Sequence, residues 1–481
     1  MASIIAHMMR STFARSGAFL ALMMIPMALA SSQSLIWKGR TPCPIPGVHH
    51  PITFANETHG FVLTGSTNNA VATSDFYIYN EAEDGWTEMS AAYQGPERSF
   101  GYGVVLPVMN STKAYFGFGA ALNGQRLSDL WELDMATLEF RQLPSLPDGH
   151  GRRHPAMNAV RKAGSSDKFE IHVGLGDTYT NGRFVNLFVN LKDFWKFDIE
   201  SEKWTQLPDL PAVARHHPFY FSIGDSSYAG FGHSPFGIER DWYVLTSDSN
   251  STADPSWTVE TSMASYEVQV DDDKSTPPVF SNEPVTTEAR VAGTQFAIEL
   301  PLEGSESNLK GSLGFVLSGD GSDHGPMASG EFHSFYPAGN GLLDGPEGPS
   351  SSWWRQLPPH PGHSRWAPGS FVMRGTARAY FMGGYDRALK NLFSDLWMID
   401  LSRLFLSLDE VQDEVEREIE EEETSTGDNV NDANMGGIEL TALEAEAFTS
   451  ASMPTSSSAR FGVFMTTTSA VAVVSAVLHC L

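Results

Sequence analysis

The chain has 481 residues, of which 41% are hydrophobic, and carries a formal net charge of −27 at pH 7. That length and apolar content support a large core, while the acidity excludes nucleic acid, whose phosphates call for a basic surface. Of the two cysteines, Cys480 lies in the terminal apolar tail, so Cys43 is left without an intrachain disulfide partner.

At the start, Arg10 and Arg15 precede an apolar run from Gly17 to Ala30 that ends in Ala28-Leu29-Ala30 before Ser31. A basic start, an apolar core and an Ala-x-Ala end predict a secretory signal peptide over 1–30, with a membrane anchor as the rival. The sequons at Asn56, Asn110 and Asn250 are glycosylation candidates in predicted loops and fit an exported chain.

From there one pattern returns. Tyr115-Phe116-Gly117-Phe118-Gly119 leads to Asp129-Leu130-Trp131-Glu132-Leu133-Asp134 and then Phe140-Arg141-Gln142-Leu143-Pro144. It recurs as Val173-Gly174-Leu175-Gly176, Asp193-Phe194-Trp195-Lys196-Phe197-Asp198 and Trp204-Thr205-Gln206-Leu207-Pro208. Asp75 to Trp86, Asp129 to Phe140 and Asp193 to Trp204 each span eleven residues. Short strands repeating at this length predict a β-propeller. Later copies are looser, at Asp241-Trp242-Tyr243 with Trp257 and at His333-Ser334-Phe335-Tyr336 with Trp353-Trp354. The last, Phe381 to Tyr385 and Asp395 to Asp400, lacks a tryptophan strand. The missing strand is at the beginning: Trp37 to Pro51 has the same fourteen-residue interval as Trp204 to Pro218, and both end in His-His-Pro. The expectation is an all-β, six-bladed propeller closed by an N-terminal outer strand.

The glycine pair, the Asp-aromatic strand and the tryptophan followed by Leu-Pro resemble the kelch repeat family over 35–401. The resemblance is weakest in blade five, which lacks a clean Asp-aromatic element, and at an insertion near Ser262 to Glu288. In this reading the glycines allow close backbone packing, the tryptophans fill space between blades, and the aspartates cap turns.

Beyond the propeller, Leu404, Leu408, Val411, Val415 and Ile419 recur at helical spacing beside Glu420-Glu421-Glu422-Glu423. An acidic amphipathic helix is predicted over 402–424 and a disordered stalk over 425–460. The apolar tail 461–481 follows small residues around Ser456 and a spacer with Arg460, the arrangement of a glycosylphosphatidylinositol signal. A single membrane span is its rival. Either places the protein on the outer face of the plasma membrane.

Strand parity puts the crossovers between blades and the loops between second and third strands on one face. The crossovers carry His49-His50, Arg98, Arg153-His154, Arg215-His216-His217, Arg290 and Arg365, and the loops begin with Asp177, His233, Asp320 and Asp386. Arg98, Arg153, His154, Arg215, His216, Arg290 and Arg365 are therefore the candidate ligand-binding residues. Three readings stand: basic residues of the repeat that bond to neighbouring carbonyls, an anion or sugar site, or a metal site from the paired histidines. The last is disfavoured, because adjacent histidines do not readily aim both rings at one ion, and no metal or other cofactor is expected.

The function expected is recognition of a protein or glycan at the cell surface. The alternative is a sugar-active enzyme of the mutarotase or galactose-oxidase-like propeller type, with Glu97 and Glu239, each followed by an arginine, as weak acid-base candidates. Copper oxidase chemistry is disfavoured, since Cys43 falls in the closing strand, away from the channel.

Overall fold

Six sheets stand around one axis, each with four antiparallel strands a to d from the axis outwards. The computed structural model describes residues 35–406, except 148–150, 182–185, 247–254, 263, 267, 270–278, 281–284, 287–288, 303–308, 322–323, 326 and 328–329. The signal segment 1–30, most of the helix expected over 402–424, the stalk 425–460, the tail 461–481 with Ser456, and Asn250 lie outside these residues. Ser402–Phe405, where that helix was expected to begin, forms a single 3-10 turn. Among the described residues no helix is long and apolar enough to cross a membrane.

Blade 1 comprises Ile52–Ala55, His59–Leu63, Phe76–Asn80 and Gly85–Glu88, and blade 2 comprises Tyr102–Val105, Lys113–Gly117, Leu130–Asp134 and Glu139–Leu143. Blade 3 comprises Ala156–Arg161, Phe169–Gly174, Phe194–Asp198 and Lys203–Leu207, and blade 4 comprises Phe219–Ile223, Ser226–Gly230, Trp242–Thr246 and Ser256–Val259. Blade 5 is built on Thr294–Leu300, Gly311–Leu317, Gly330–Tyr336 and Trp353–His360. Blade 6 is Gly369–Val372, Arg378–Met382 and Leu396–Asp400, completed by Lys38–Arg40 from the N-terminal side. The closing strand pairs Lys38 with Met398, Gly39 with Trp397 and Arg40 with Leu396, as its sequence interval predicts. Each a strand touches those of the neighbouring blades, so the ring closes.

The insertion before blade 5 extends that blade. Ala264–Tyr266 runs parallel to Trp353–His360, with Ser265 opposite Trp354, and Val285–Thr286 pairs with it in turn. Among the described residues blade 5 therefore has six strands.

The tryptophans of the d strands stitch blades together as well as filling space. Trp204 donates its indole N–H to the Pro144 carbonyl of the previous blade at 2.8 Å, and Trp257 does the same to Pro208 at 2.9 Å. Trp354 reaches Thr261, Trp37 reaches Pro358 and Trp86 reaches Thr41 in the same sense. Phe140 of blade 2 has no donor and packs on Phe76 and Tyr93 instead. The aspartates divide into two groups. Asp134 and Asp198, at the ends of c strands, cap turns by accepting two backbone N–H groups each. Those preceding c strands do something else, described below.

The glycine pairs follow from a contact between blades. At the end of each b strand two consecutive residues are left-handed, such as Leu175 (φ 57°) with Gly176 (φ 95°). The second N–H then reaches the next crossover: Gly119 to Arg152 O, Gly176 to Arg215 O, Gly232 to Arg290 O, Gly319 to Arg365 O, Gly384 to Val48 O and Gly65 to Arg98 O, at 2.8–3.1 Å. A Cβ on Gly176 would lie 2.4 Å from the Arg153 carbonyl oxygen. Gly176→Ala should therefore cost about 3 kcal/mol of stability. Gly164→Ala, also at positive φ but with nothing near its Cβ, should cost about 1 kcal/mol. Urea unfolding midpoints of the two variants check the difference.

Candidate functional site

Each crossover pairs with the hairpin between strands b and c of its own blade. Val48–His49 pairs with Ser66–Thr67, and Arg98–Ser99 with Ala120–Ala121. Single bridges join Arg153 to Asp177, His216 to His233, Val291 to Asp320 and Trp366 to Tyr385. Crossovers and b–c hairpins thus share one face, as strand parity predicts.

Each crossover has three successive positions with distinct tasks. The first is Val48, Arg98, Arg152, Arg215, Arg290 or Arg365, and its arginines point into the blade. Arg98 forks onto Asp129 at 3.0 and 2.6 Å and also donates to the Phe118 carbonyl at the end of strand b. Arg152 does the same with Asp193 and Leu175 O, and Arg365 with Asp395 and Gly383 O. Arg215 pairs with Asp241 and Phe231 O, and Arg290 with Glu331. Trp131, Trp195 and Trp397 donate to the same carboxylates as Arg98, Arg152 and Arg365. Four candidate ligand binders, Arg98, Arg215, Arg290 and Arg365, thus have their guanidinium groups buried inside blades. The sequence reading placed Arg153 in this series, whereas the structural equivalent is Arg152. The carboxylate that looked absent from blade 5 is Glu331.

The second position is His49, Ser99, Arg153, His216, Val291 and Trp366, of which Ser99 and Val291 are fully buried and the other four are partly exposed. Arg153 bonds Asp177 through Nε at 3.0 Å, and its side chain is 24% exposed. Asp177, fully buried, also accepts from Arg126 at 3.0 Å and contacts His154 Nδ1 at 2.7 Å. Arg387, on the blade 6 hairpin, bonds Asp320 at 2.6 Å and lies over the Trp366 ring. His216 Nδ1 meets Asn190 Oδ1 at 2.9 Å, and His363 meets Asp386 at 3.1 Å. Arg126 and Arg387 were not singled out from sequence. Their signal was position, one on the blade 2 hairpin and one directly after Asp386.

The third position is an inner ring, His50, Phe100, His154, His217, Ala292 and Ala367, all left-handed with φ between 50° and 66°. This turn lets one blade's N–H reach the previous blade: His50 to Ala367 O, His154 to Phe100 O, Ala292 to His217 O and Ala367 to Ala292 O. His50, His154 and His217 are 3–4% exposed and lie together on the axis. Burial, then like charges nearby, holds all three well below the usual histidine range. Burial thus favours the neutral form of all three imidazoles.

Below this layer the a strands enclose a channel of about 210 Å³, bordered by Tyr102, Asn158, Tyr220, Gln295, Glu299 and Arg374 among others. Glu299 accepts the Gly224 N–H at 3.1 Å, with Arg161 at 3.9 Å. Burial nevertheless pushes its carboxyl above the usual range. The channel border does not include Glu97 or Glu239. Glu97 is exposed, and Glu239 accepts from Ser234 at 2.5 Å in the blade 4 hairpin. Cys43 is buried beside Ile45 and Val48, with its thiol pushed up to about 12 by burial, and it too is absent from the channel border.

These features define a six-bladed β-propeller whose channel is capped on the crossover face. No family model matches the chain, and no curated protein does. Among solved structures it is similar to YjhT, with 13% identity and a TM-score of 0.48 over 74% of this chain and 95% of that one.

Arg98→Ala leaves a buried carboxylate behind and should cost about 3–5 kcal/mol. Arg153→Ala leaves Asp177 with Arg126 and His154 and should cost about 1 kcal/mol. Chemical denaturation of both variants separates the structural arginines from those of the mouth. Acid sensitivity should be marked as well. Burial lowers His360 to about 3 from 6.5, and it stacks on Phe381. The unfolded chain takes up that proton near 6.5, so the stabilisation is complete above 6.5 and drains as pH falls towards 3. His360→Asn should flatten the fall in stability between about pH 6 and 4.5 by about 1.4 kcal/mol per pH unit. Urea midpoints across that range measure it.

Proposed function

We propose that the protein is a kelch-type recognition propeller, displayed on the outer face of the cell, that binds a protein partner across its hairpin face. One observation carries this reading. Among the described residues, six of the eight exposed large hydrophobic side chains sit on b–c hairpins: Val71, Leu122, Tyr179, Phe188, Phe236 and Leu389. Phe236 is 85% exposed at a hairpin tip. They surround a floor carrying Arg153, Arg387, His49 and His216. Exposed aromatic side chains beside arginine are the composition of protein-binding hot spots.

The repeat motifs support the kelch assignment, and the N-terminal apolar segment, the sequons and the C-terminal tail support surface display. Asn56 and Asn110 lie in a–b connections, at the end of the blades opposite the hairpins. Glycans there would leave the hairpin face open. A sugar-active enzyme is the second reading, favoured by the raised carboxyl of Glu299 beside the channel.

Immobilised full-length chain would be tested against surface proteins of its own cells and against a glycan array. Phe236→Asp with Tyr179→Ser, and separately Arg153→Ala with Arg387→Ala, should weaken partner binding at least about tenfold. Glu299→Gln should leave binding unchanged. Binding indifferent to both pairs would overturn the reading, and sugar turnover abolished by Glu299→Gln would replace it with the enzyme. Release from intact cells by a phosphatidylinositol-specific phospholipase tests the lipid anchor.

A further inference from the structure

We infer that His50, His154 and His217 form a binding site for a divalent transition-metal ion, with zinc the best match to the ligands. Architecture does not account for these side chains. The ring they occupy takes phenylalanine at position 100 and alanine at 292 and 367, with the same left-handed backbone. Nothing in the turn requires histidine, yet three blades place one there and bring the rings to a common point.

The nitrogen chemistry suits a cation. Candidate ligand atoms of the three residues lie within 4.8 Å of one another. Asp177 sits 2.7 Å from His154 Nδ1, which fixes the proton on that nitrogen. His154 Nε2 is then a lone pair, buried and without a hydrogen-bond partner. A carboxylate behind a histidine is the usual second support of a metal ligand. His50 Nε2 and His217 Nε2 face each other at 2.9 Å, and His50 Nδ1 faces His49 Nδ1 at 2.7 Å. Between neutral imidazoles each such contact is one N–H···N hydrogen bond, whose proton must shift to the far ring nitrogen before both facing nitrogens can bind a cation. His217 Nδ1 is also buried without a partner.

Two nitrogens about 2.0–2.1 Å from one tetrahedral ion are about 3.3 Å apart. Loading thus needs the 2.9 Å contact to open by a few tenths of an ångström. The rings of His154 and His217, stacked at 3.4 Å, must also splay. Ala292 and Ala367 leave the remaining side of the ring without long side chains, and Pro51 and Pro368, next along the chain from His50 and Ala367, border the channel. The fourth ligand is water from that side. Three imidazoles without a coordinating carboxylate select borderline ions such as zinc, cobalt, nickel or copper over magnesium and calcium, which require oxygen.

The test uses full-length chain without a histidine tag, stripped with chelator and dialysed, then titrated with zinc chloride or cobalt(II) chloride. One equivalent of zinc should be retained, with a rise in melting temperature. Cobalt should give the intense visible bands of a tetrahedral site. His154→Phe and the pair His50→Ala with His217→Ala, which copy residues already present in the ring, should each weaken binding at least about tenfold. His59→Gln, at the a–b end of blade 1, should leave it unchanged. Failure of the unaltered chain to take up either metal overturns the proposal. So does stoichiometric binding that persists in a folded His154→Phe variant. If the variants fail to fold, the zinc-induced melting shift of the unaltered chain decides: a rise supports the site, and no rise overturns it.

Discussion

The crossover arginine, forked onto the carboxylate before strand c, is the interaction on which this structure depends. Its side chain binds its own blade while its carbonyl accepts the glycine N–H of the previous one. A single residue therefore joins strands b and c to the crossover and joins two blades. The paired left-handed residues ending strand b turn a carbonyl such as Phe118 O out of the sheet ladder, and the guanidinium satisfies it. Burying an ion pair gains little net stability, but each half makes loss of the other costly. That asymmetry fixes the crossover geometry. Blade 1 is the exception. Val48 stands in the arginine position and packs with Cys43, Ile45, Met382 and Leu396. This is where the N-terminal strand closes the ring, so an apolar cluster does there what ion pairs do elsewhere.

Once the first crossover residue is fixed, the next two are free to vary. The second position holds histidine, arginine or tryptophan, partly exposed towards the mouth, or a fully buried serine or valine. The third holds histidine, phenylalanine or alanine, all facing the axis. Buried ion-pairing residues and the more variable positions are thus separated by one residue along the chain. Arg152 and Arg153 show the separation plainly: neighbours of the same type, one buried against Asp193 and the other partly exposed at the rim.

That adjacency also explains where the sequence could be read and where it could not. Blade number, the closing strand and the shared face of crossovers and hairpins follow from periodicity, which a single chain displays. Choosing between Arg152 and Arg153 needs the carbonyl that Gly119 selects, a contact across blades. Glu331 in place of aspartate hid the ion pair of blade 5. Ala264–Tyr266 and Val285–Thr286 are too short for a pattern and become strands only because the edge of blade 5 accepts them. The meeting of His50, His154 and His217 depends on ring closure. Adjacency in sequence argued against a metal there, since His49-His50 and His216-His217 cannot converge as pairs. The structure instead takes one histidine from each of three blades.

The same inner ring separates the hairpin face from the channel. Its buried imidazoles, Phe100 and Trp366 close the channel on the hairpin side, and the b–c hairpins with their exposed aromatics stand beyond that layer. On the other side Glu299 and Arg374 border the channel where the a–b connections lie. A partner lying across the hairpins would not need to enter the channel, and a small ligand in the channel would not meet Phe236. A partner on the hairpins and a ligand in the channel would therefore not exclude each other. The layer between them is held by backbone hydrogen bonds running from blade to blade, so a ligand that reorders its histidines acts on the ring that both ends share.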